Sequence, residues 1–336
     1  MYNNCQLHKK SLLVGVMAAT MTVGLSTAMA QDDFPSKPFN VTVSYTAGGA
    51  TDFQARIAVS KAEEYLGQTA VVVNRPGAGG QVGWNHLVQS GSDDGHDLAA
   101  YNVPHFIAQS LVYDTHYNLD NLEPIANWGM DPAVLIVHED SEFDSIDDLV
   151  EYAKENPGKV TVSGAGLFVG HHIATLQLEE AAGIDLEYLP TSGAVDGLRF
   201  VEGGQVMAGF NNLSDAYRAQ DRLKILGIAT MEREEKFLPD VPTFIEAGYD
   251  VDDSSVNIRG LMTRSGVSEE KLDKLSEAAV KMFNDEEIQA KMEEGGSPML
   301  VMGRDELKEM WQERQAYLEE LFSEMDTEAI EKAADN

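Results

Sequence analysis

The chain has 336 residues, 24 of them basic and 56 acidic, for a formal charge of −32 at pH 7. Such a balance repels phosphates at long range and argues against nucleic acid as a partner. The 43% apolar content supports two domains of ordinary size, and a lone cysteine, Cys5, excludes a disulfide framework or a cysteine-based metal site.

In chain order, residues 1–30 read as a secretory signal peptide. Lys9 and Lys10 form a basic start, Leu12 to Leu25 a short apolar stretch, and Ala28-Met29-Ala30 a small-x-small cleavage site before Gln31. Cleavage after Ala30 would place the mature chain in the periplasm, and no later run is long enough to cross a bilayer. Cys5 precedes the apolar stretch and leaves with the leader. Losing Lys9 and Lys10 takes the formal charge from −32 to about −34. The acids are spread along helices and turns, as in Glu269-Glu270, Asp285-Glu286-Glu287 and Glu319-Glu320. That is a solvated, halophile-like surface, tolerable where the Debye length falls to about 3 Å at 1 M salt.

Asn40 to Tyr45 alternates like a strand and runs into YTAGGATDFQAR, Tyr45–Arg56, where Gly48 and Gly49 turn the chain and Thr51 or Asp52 caps the following helix. The free N–H groups of that helix start hold an anion without a basic side chain. A second unit of the same design follows. Ala70 to Val73 is a strand, and Pro76, Gly77, Ala78, Gly79 and Gly80 lead into a helix bearing Trp84 and Leu87. Two neighbouring parallel strands place both turns at one sheet edge, where open α/β sheets bind ligands. A third strand, Asp97 to Asn102, turns its exit, Asn102 to His105, toward the same edge.

Ala133 to Val137 is an unbroken apolar run suited to a strand buried on both faces. Ser145 caps a helix that stops at Asn156-Pro157-Gly158. Lys159 to His172 repeats strand, glycine turn and helix start in the other half of the chain, with Ser163, Gly164, Gly166 and Phe168 in the turn. Further strands are predicted at Leu186–Pro190, Val206–Asn211 and Leu223–Ala229. Adjacent His171 and His172 point about 100° apart on a helix and cannot chelate one ion together, so the pair reads as packing, with His172 a possible hydrogen-bond donor to a bound acid. No metal or cofactor is expected. Neither a Gly-x-Ser-x-Gly elbow nor a His-Glu-x-x-His motif occurs, and nothing pairs a nucleophile with a base, so no enzymatic role is expected.

YTAGGATDFQAR, VVVNRPGAGGQVG, VTVSGAGLFVGHHIA and LPDVPTFIEAG, in this order, resemble the extracytoplasmic receptors of tripartite tricarboxylate transporters, the Bug family. The resemblance covers essentially the whole mature chain. It implies a two-lobed periplasmic binding protein fold, type II-like, each lobe a mostly parallel sheet wound with helices. Lobe one is expected from residues 32–130 plus 232–336 and lobe two from 131–231. It further implies a monomeric receptor that closes on a small organic acid and hands it to the transporter's membrane subunits; the alternative is a sensor feeding a membrane kinase. The candidate ligand-binding residues are Tyr45, Ala47, Gly48, Gly49, Thr51 and Asp52, with Asp52 as cap and loop organiser; Pro76 to Gly80; Asn102; and Ser163, Gly164, Gly166, Phe168, His172 and Asn211. Three departures from the family pattern bear on the ligand: Leu167-Phe168 after the third turn removes a hydroxyl and adds an aromatic side chain, Thr191-Ser192-Gly193 stands in place of a Tyr-x-Gly, and Asn211 in place of an acid favours an acid lacking an amine.

Overall fold

The computed structural model describes residues 34–323; the expected leader and its cleavage site lie outside the described residues. The first part of the chain contributes β1 (Phe39–Val43), α1 (Ala50–Ala58), α2 (Ala62–Leu66), β2 (Ala70–Asn74), α3 (Gln81–Ser90), β3 (Asp97–Val103), α4 (His105–Val112) and β4 (Leu122–Asp131). The middle supplies β5 (Ala133–His138), α5 (Ile146–Glu155), β6 (Val160–Gly164), α6 (Gly170–Ala182), β7 (Leu186–Pro190), α7 (Ala194–Glu202), β8 (Ala208–Asn212), α8 (Leu213–Arg218) and β9 (Leu223–Ile228). The last part adds β10 (Asn257–Arg264), α9 (Glu269–Phe283), α10 (Glu286–Glu294), β11 (Met299–Met302) and α11 (Arg304–Ser323).

These strands form two sheets, a six-stranded one ordered β11-β4-β10-β3-β1-β2 and a five-stranded one ordered β7-β6-β8-β5-β9. The local signals act as their chemistry dictates. The apolar run Ala133–Val137 is buried throughout β5, and Ser145 caps α5 by accepting from the Asp148 N–H at 3.1 Å. β1 pairs in parallel with β2 and with β3, and β6 in parallel with β7 and β8. The carboxyl ends of three strands in each sheet are thereby gathered at one edge, and the glycine turns follow those ends.

The α/β two-lobed expectation holds, but the sheets are mixed rather than mostly parallel. β10 runs antiparallel to both β3 and β4, β11 to β4, and β5 to β8 and β9. The reason is topological: β4 carries the chain out of the first sheet through Pro132, and β10 brings it back, so each must oppose a neighbour. The return also comes later than residue 232. Thr243 bridges Ile228, Leu238 packs in one core of the five-stranded lobe, and Phe244 and Val251 pack in its other core. The Leu238–Thr243 motif is thus part of the second lobe's shell. Glu246 and Thr243 exchange reciprocal hydrogen bonds there, at 2.9 and 3.0 Å.

Candidate functional site

The first turn is built from its own polar atoms. Gly49, not Thr51 or Asp52, occupies the N-cap of α1, and no side chain caps the helix. Asp52 instead turns back: its carboxylate accepts from the Gly48 N–H (2.9 Å), from Asn74 (2.9 Å) and from Arg56 Nε (3.0 Å). Burial opposes ionisation, but these three donors outweigh it and hold the carboxyl below its ordinary range. Asp52 is a loop organiser, paired one helical turn away with Arg56.

The second and third turns meet. Gly79 has φ +60° and Gly166 φ +126°, and a Cβ on Gly166 would lie 2.9 Å from the Gly79 Cα. Only glycine permits that backbone approach between strand exits of opposite lobes. Tyr45 fixes the arrangement: its hydroxyl donates to the Gly79 carbonyl at 2.8 Å, and burial pushes its pKa well up, keeping it a donor. Gln109 Nε2 donates to Gly79 O (3.3 Å) and to Leu167 O (3.2 Å), bridging the lobes. A groove of about 790 Å³ opens beside the contact, lined by Ala78, Gly79, Gln81, Gln109 and Tyr113 from one lobe and Gly166, Leu167, Pro190, Thr191, Ser192, Asp196, Arg199 and Phe200 from the other.

Deeper between the lobes lies a cavity of about 20 Å³, room for about one water. Tyr45, Gly49, Thr51, Asn102, His105, Asn257 and Arg259 face it from the first lobe, and Ala165, His171, Gly193, Ala194 and Asn212 from the second. The starts of α1 and α7 therefore converge on it from opposite lobes. Arg259 is 1% exposed, and one donor on each of its three guanidinium nitrogens is engaged within the protein. They go to Asp131, to Asn212 Oδ1 at 2.6 Å and, with the Asn102 amide oxygen turned toward it, to Asn102 at 3.2 Å. The guanidinium thus orients amides around the cavity and its charge is met by Asp131. The cavity presents dipoles rather than a free cation.

His105 is the exception to this saturation. It is 1% exposed, faces the cavity, and its Nδ1 has no hydrogen-bond partner. Burial and the neighbouring His171 and Arg259 push its pKa well down, so the ring is neutral. Burial likewise lowers His171 to about 4, against a hydrogen bond that its Nε2 makes to Asn212 Oδ1 at 3.3 Å, which acts the other way. A buried polar atom without a partner marks a place where a ligand or water completes the network. Among the described residues no cluster of His, Cys, Asp or Glu is arranged to hold a metal.

Of the residues named from the sequence, Tyr45, Gly49, Thr51 and Asn102 line the deep cavity, and Ala78, Gly79 and Gly166 the outer groove. Ala47, Gly48, Pro76 and Gly77 line neither, and Asp52 serves the loop. Gly80 packs under the Trp84 ring, where a Cβ would come within 2.6 Å of it. Ser163 donates to Gly197 O inside the second lobe, and Gly164 lies under Tyr188. Phe168 is fully buried in the first lobe's core, and His172 accepts from the Phe168 N–H and packs on Phe168 and Tyr188. Asn211 donates to Ala194 O and so braces α7, leaving its neighbour Asn212 at the cavity. His105 lies at the strand exit, Asn102 to His105, that the sequence turns toward the glycine turns, although nothing there marks its ring as a contact. Asn257, Arg259 and Asn212 carried no local signal: they sit on strands with no motif of their own, and β10 was not foreseen.

Residues 54–326 match the family described as tripartite tricarboxylate transporter family receptor. The chain is 32% identical over 277 residues to the UPF0065 protein in gbd 5'region of Cupriavidus necator, covering 80% of this chain and 83% of that one. Among solved structures it resembles the periplasmic binding protein BugD, at a TM-score of 0.79 and 26% identity over 86% of this chain and 98% of that one. It also shares its fold with MatC of Rhodopseudomonas palustris with bound malate, at a TM-score of 0.78 and 24% identity over 85% of this chain and 99% of the other.

Proposed function

The chain belongs to the tripartite tricarboxylate transporter receptor family, and from that premise we propose that it captures a small organic acid between its lobes in the periplasm and delivers it to the membrane subunits of such a transporter. The observation that carries this reading is a polar cavity between the lobes, at the start of α7, where the buried His105 Nδ1 has no partner. Backbone N–H groups, amides and a neutral imidazole recognise a carboxylate through hydrogen bonds. With room for about one water, the inner cavity holds a terminal oxygen or a bridging water, and the body of the acid lies in the outer groove. MatC, with its bound malate, is consistent with a carboxylate ligand for this fold. The receptor is proposed to act as a monomer and to do no chemistry: a ligand touching both lobes stabilises the closed form, which a membrane partner then reads.

Thermal unfolding of residues 31–336 in high salt, against mono-, di- and tricarboxylates, aromatic acids and acidic amino acids, tests the reading. An acid at a hundred times its dissociation constant adds about 2.7 kcal/mol and raises the melting temperature by several degrees. Equal melting temperatures across the whole panel would contradict it.

A further inference from the structure

The outer groove carries more information than an acid site requires. Among its described lining residues the charged side chains are Asp196 and Arg199, both on α7; Phe200, Leu167 and Pro190 give the wall an apolar stretch, and Gln81, Gln109, Thr191 and Ser192 its neutral polar groups. Arg199 meets Asp196 at 3.4 Å, a loose contact, and its side chain is 66% exposed. In a chain with 24 basic against 56 acidic residues, a loosely held cation in an interlobe groove stands against the general field. Its position also has a length. Ala194 borders the inner cavity and Arg199 lies five residues further along the same helix, about 7.5 Å of axial rise at 1.5 Å per residue.

We propose that Arg199 is the specificity-determining residue of this receptor, selecting acids with a second carboxylate about 7.5 Å or more from the first, joined by an apolar chain. The inner carboxylate is held at the start of α7 and the facing turns. The apolar chain lies along Phe200, Leu167 and Pro190, and the outer carboxylate exchanges the loose Asp196 contact for a paired, fork-like one with the guanidinium. Asp196 acts in the opposite sense, repelling the outer carboxylate and competing for Arg199. This assignment rests on the acid-receptor reading and narrows it to a ligand class.

The test is calorimetric titration of the mature chain with straight-chain α,ω-diacids of four to ten carbons and the monoacids of matching length, in wild type, Arg199→Gln and Asp196→Asn. The expected result is that wild type favours longer diacids over their matched monoacids by tenfold or more. Arg199→Gln erases that preference by lowering diacid affinity far more than monoacid affinity, and Asp196→Asn raises diacid affinity. The diacid preference also shrinks between 0.1 and 1 M salt, as the Debye length falls from about 10 to 3 Å. Melting temperatures without ligand separate the alternative in which Arg199 serves only the last turn of α7, a role that moves stability and leaves the diacid-to-monoacid ratio untouched. Acids that bind with a ratio unchanged by Arg199→Gln overturn this proposal alone. Failure of every acid to bind wild type overturns the receptor reading and this proposal with it.

Discussion

Arg259 is the residue on which the site's order rests, because it is a buried charge that commits each neighbour to a direction. Asp131 answers its charge and also accepts from Gln54 Nε2 (3.0 Å) and the Ser214 N–H (3.0 Å), while Trp128 Nε1 donates to Gln54 at 3.1 Å. A buried pair of this kind adds little net stability relative to apolar packing, yet removing one partner strands the other. Asp131→Ala is therefore expected to lower stability by about 3–5 kcal/mol, measured by denaturant unfolding. The exposed pair Lys236–Glu293 is worth well under about 1 kcal/mol by the same assay. A loss at Asp131 no larger than at Glu293 would show that Arg259 finds water or another partner. None of this was legible in the sequence: Arg259 and Asp131 are 128 positions apart, and a strand arginine carries no signal of its partner. The glycine turns were legible because a turn's requirements are local. Of their residues only those beside the lobe contact reach a cavity, since whether a turn atom faces ligand or core depends on the other lobe.

At the scale of elements, two pieces of the five-stranded lobe are bound to the six-stranded one. α8 is the first. The Asp215 carboxylate accepts from the Ala50 N–H at the start of α1 at 3.2 Å. Arg218 donates to Gly295 O at 3.0 Å, and its guanidinium lies 4.5 Å over the Phe53 ring. The helix start expected to hold an external anion thus already has one carboxylate beside it, supplied by the protein. Burial raises the pKa of Asp215 against the pull of Arg218. The second piece is the loop before α6. Phe168 takes φ +52°, which a side chain adopts only under constraint. The constraint is its ring, packed between Tyr113 at 5.8 Å and Phe322 at 5.5 Å in the other lobe. From the sequence this phenylalanine reads as a ligand contact; the structure makes it an anchor of the closed arrangement. Truncating a buried phenylalanine costs about 3–5 kcal/mol, here drawn largely from the closed form. Phe168→Ala is expected to enlarge the radius of gyration in solution scattering and weaken acid binding tenfold or more, with Phe168→Leu intermediate. Wild-type dimensions and affinity in Phe168→Ala would remove the anchor role.

Across the whole molecule, the division of labour follows the crossings. The chain leaves the six-stranded sheet at Asp131-Pro132 and returns at Val256-Asn257, so Asp131 and Arg259 sit together where both crossing strands meet the cleft. The lobes are joined there by a saturated polar network, and on the opposite flank by the Gly79–Gly166 contact, where the outer groove opens. The two-lobed α/β architecture followed from alternating strand and helix patterns. The mixed sheets did not, because strand direction is set by where the chain crosses, a property of the whole fold rather than of any segment. The acidic surface keeps the exterior solvated, the inner cavity is lined by dipoles, and the outer groove carries Asp196 and Arg199.

An acid held between the lobes by turns from both protects both from hydrogen exchange. With the acid giving the largest thermal shift, exchange at the amides of 77–81 and 164–168 is expected to slow in both segments together, with half-saturation at the same concentration. Slowing in one lobe alone, or in neither while the melting temperature still rises, would rule out such binding.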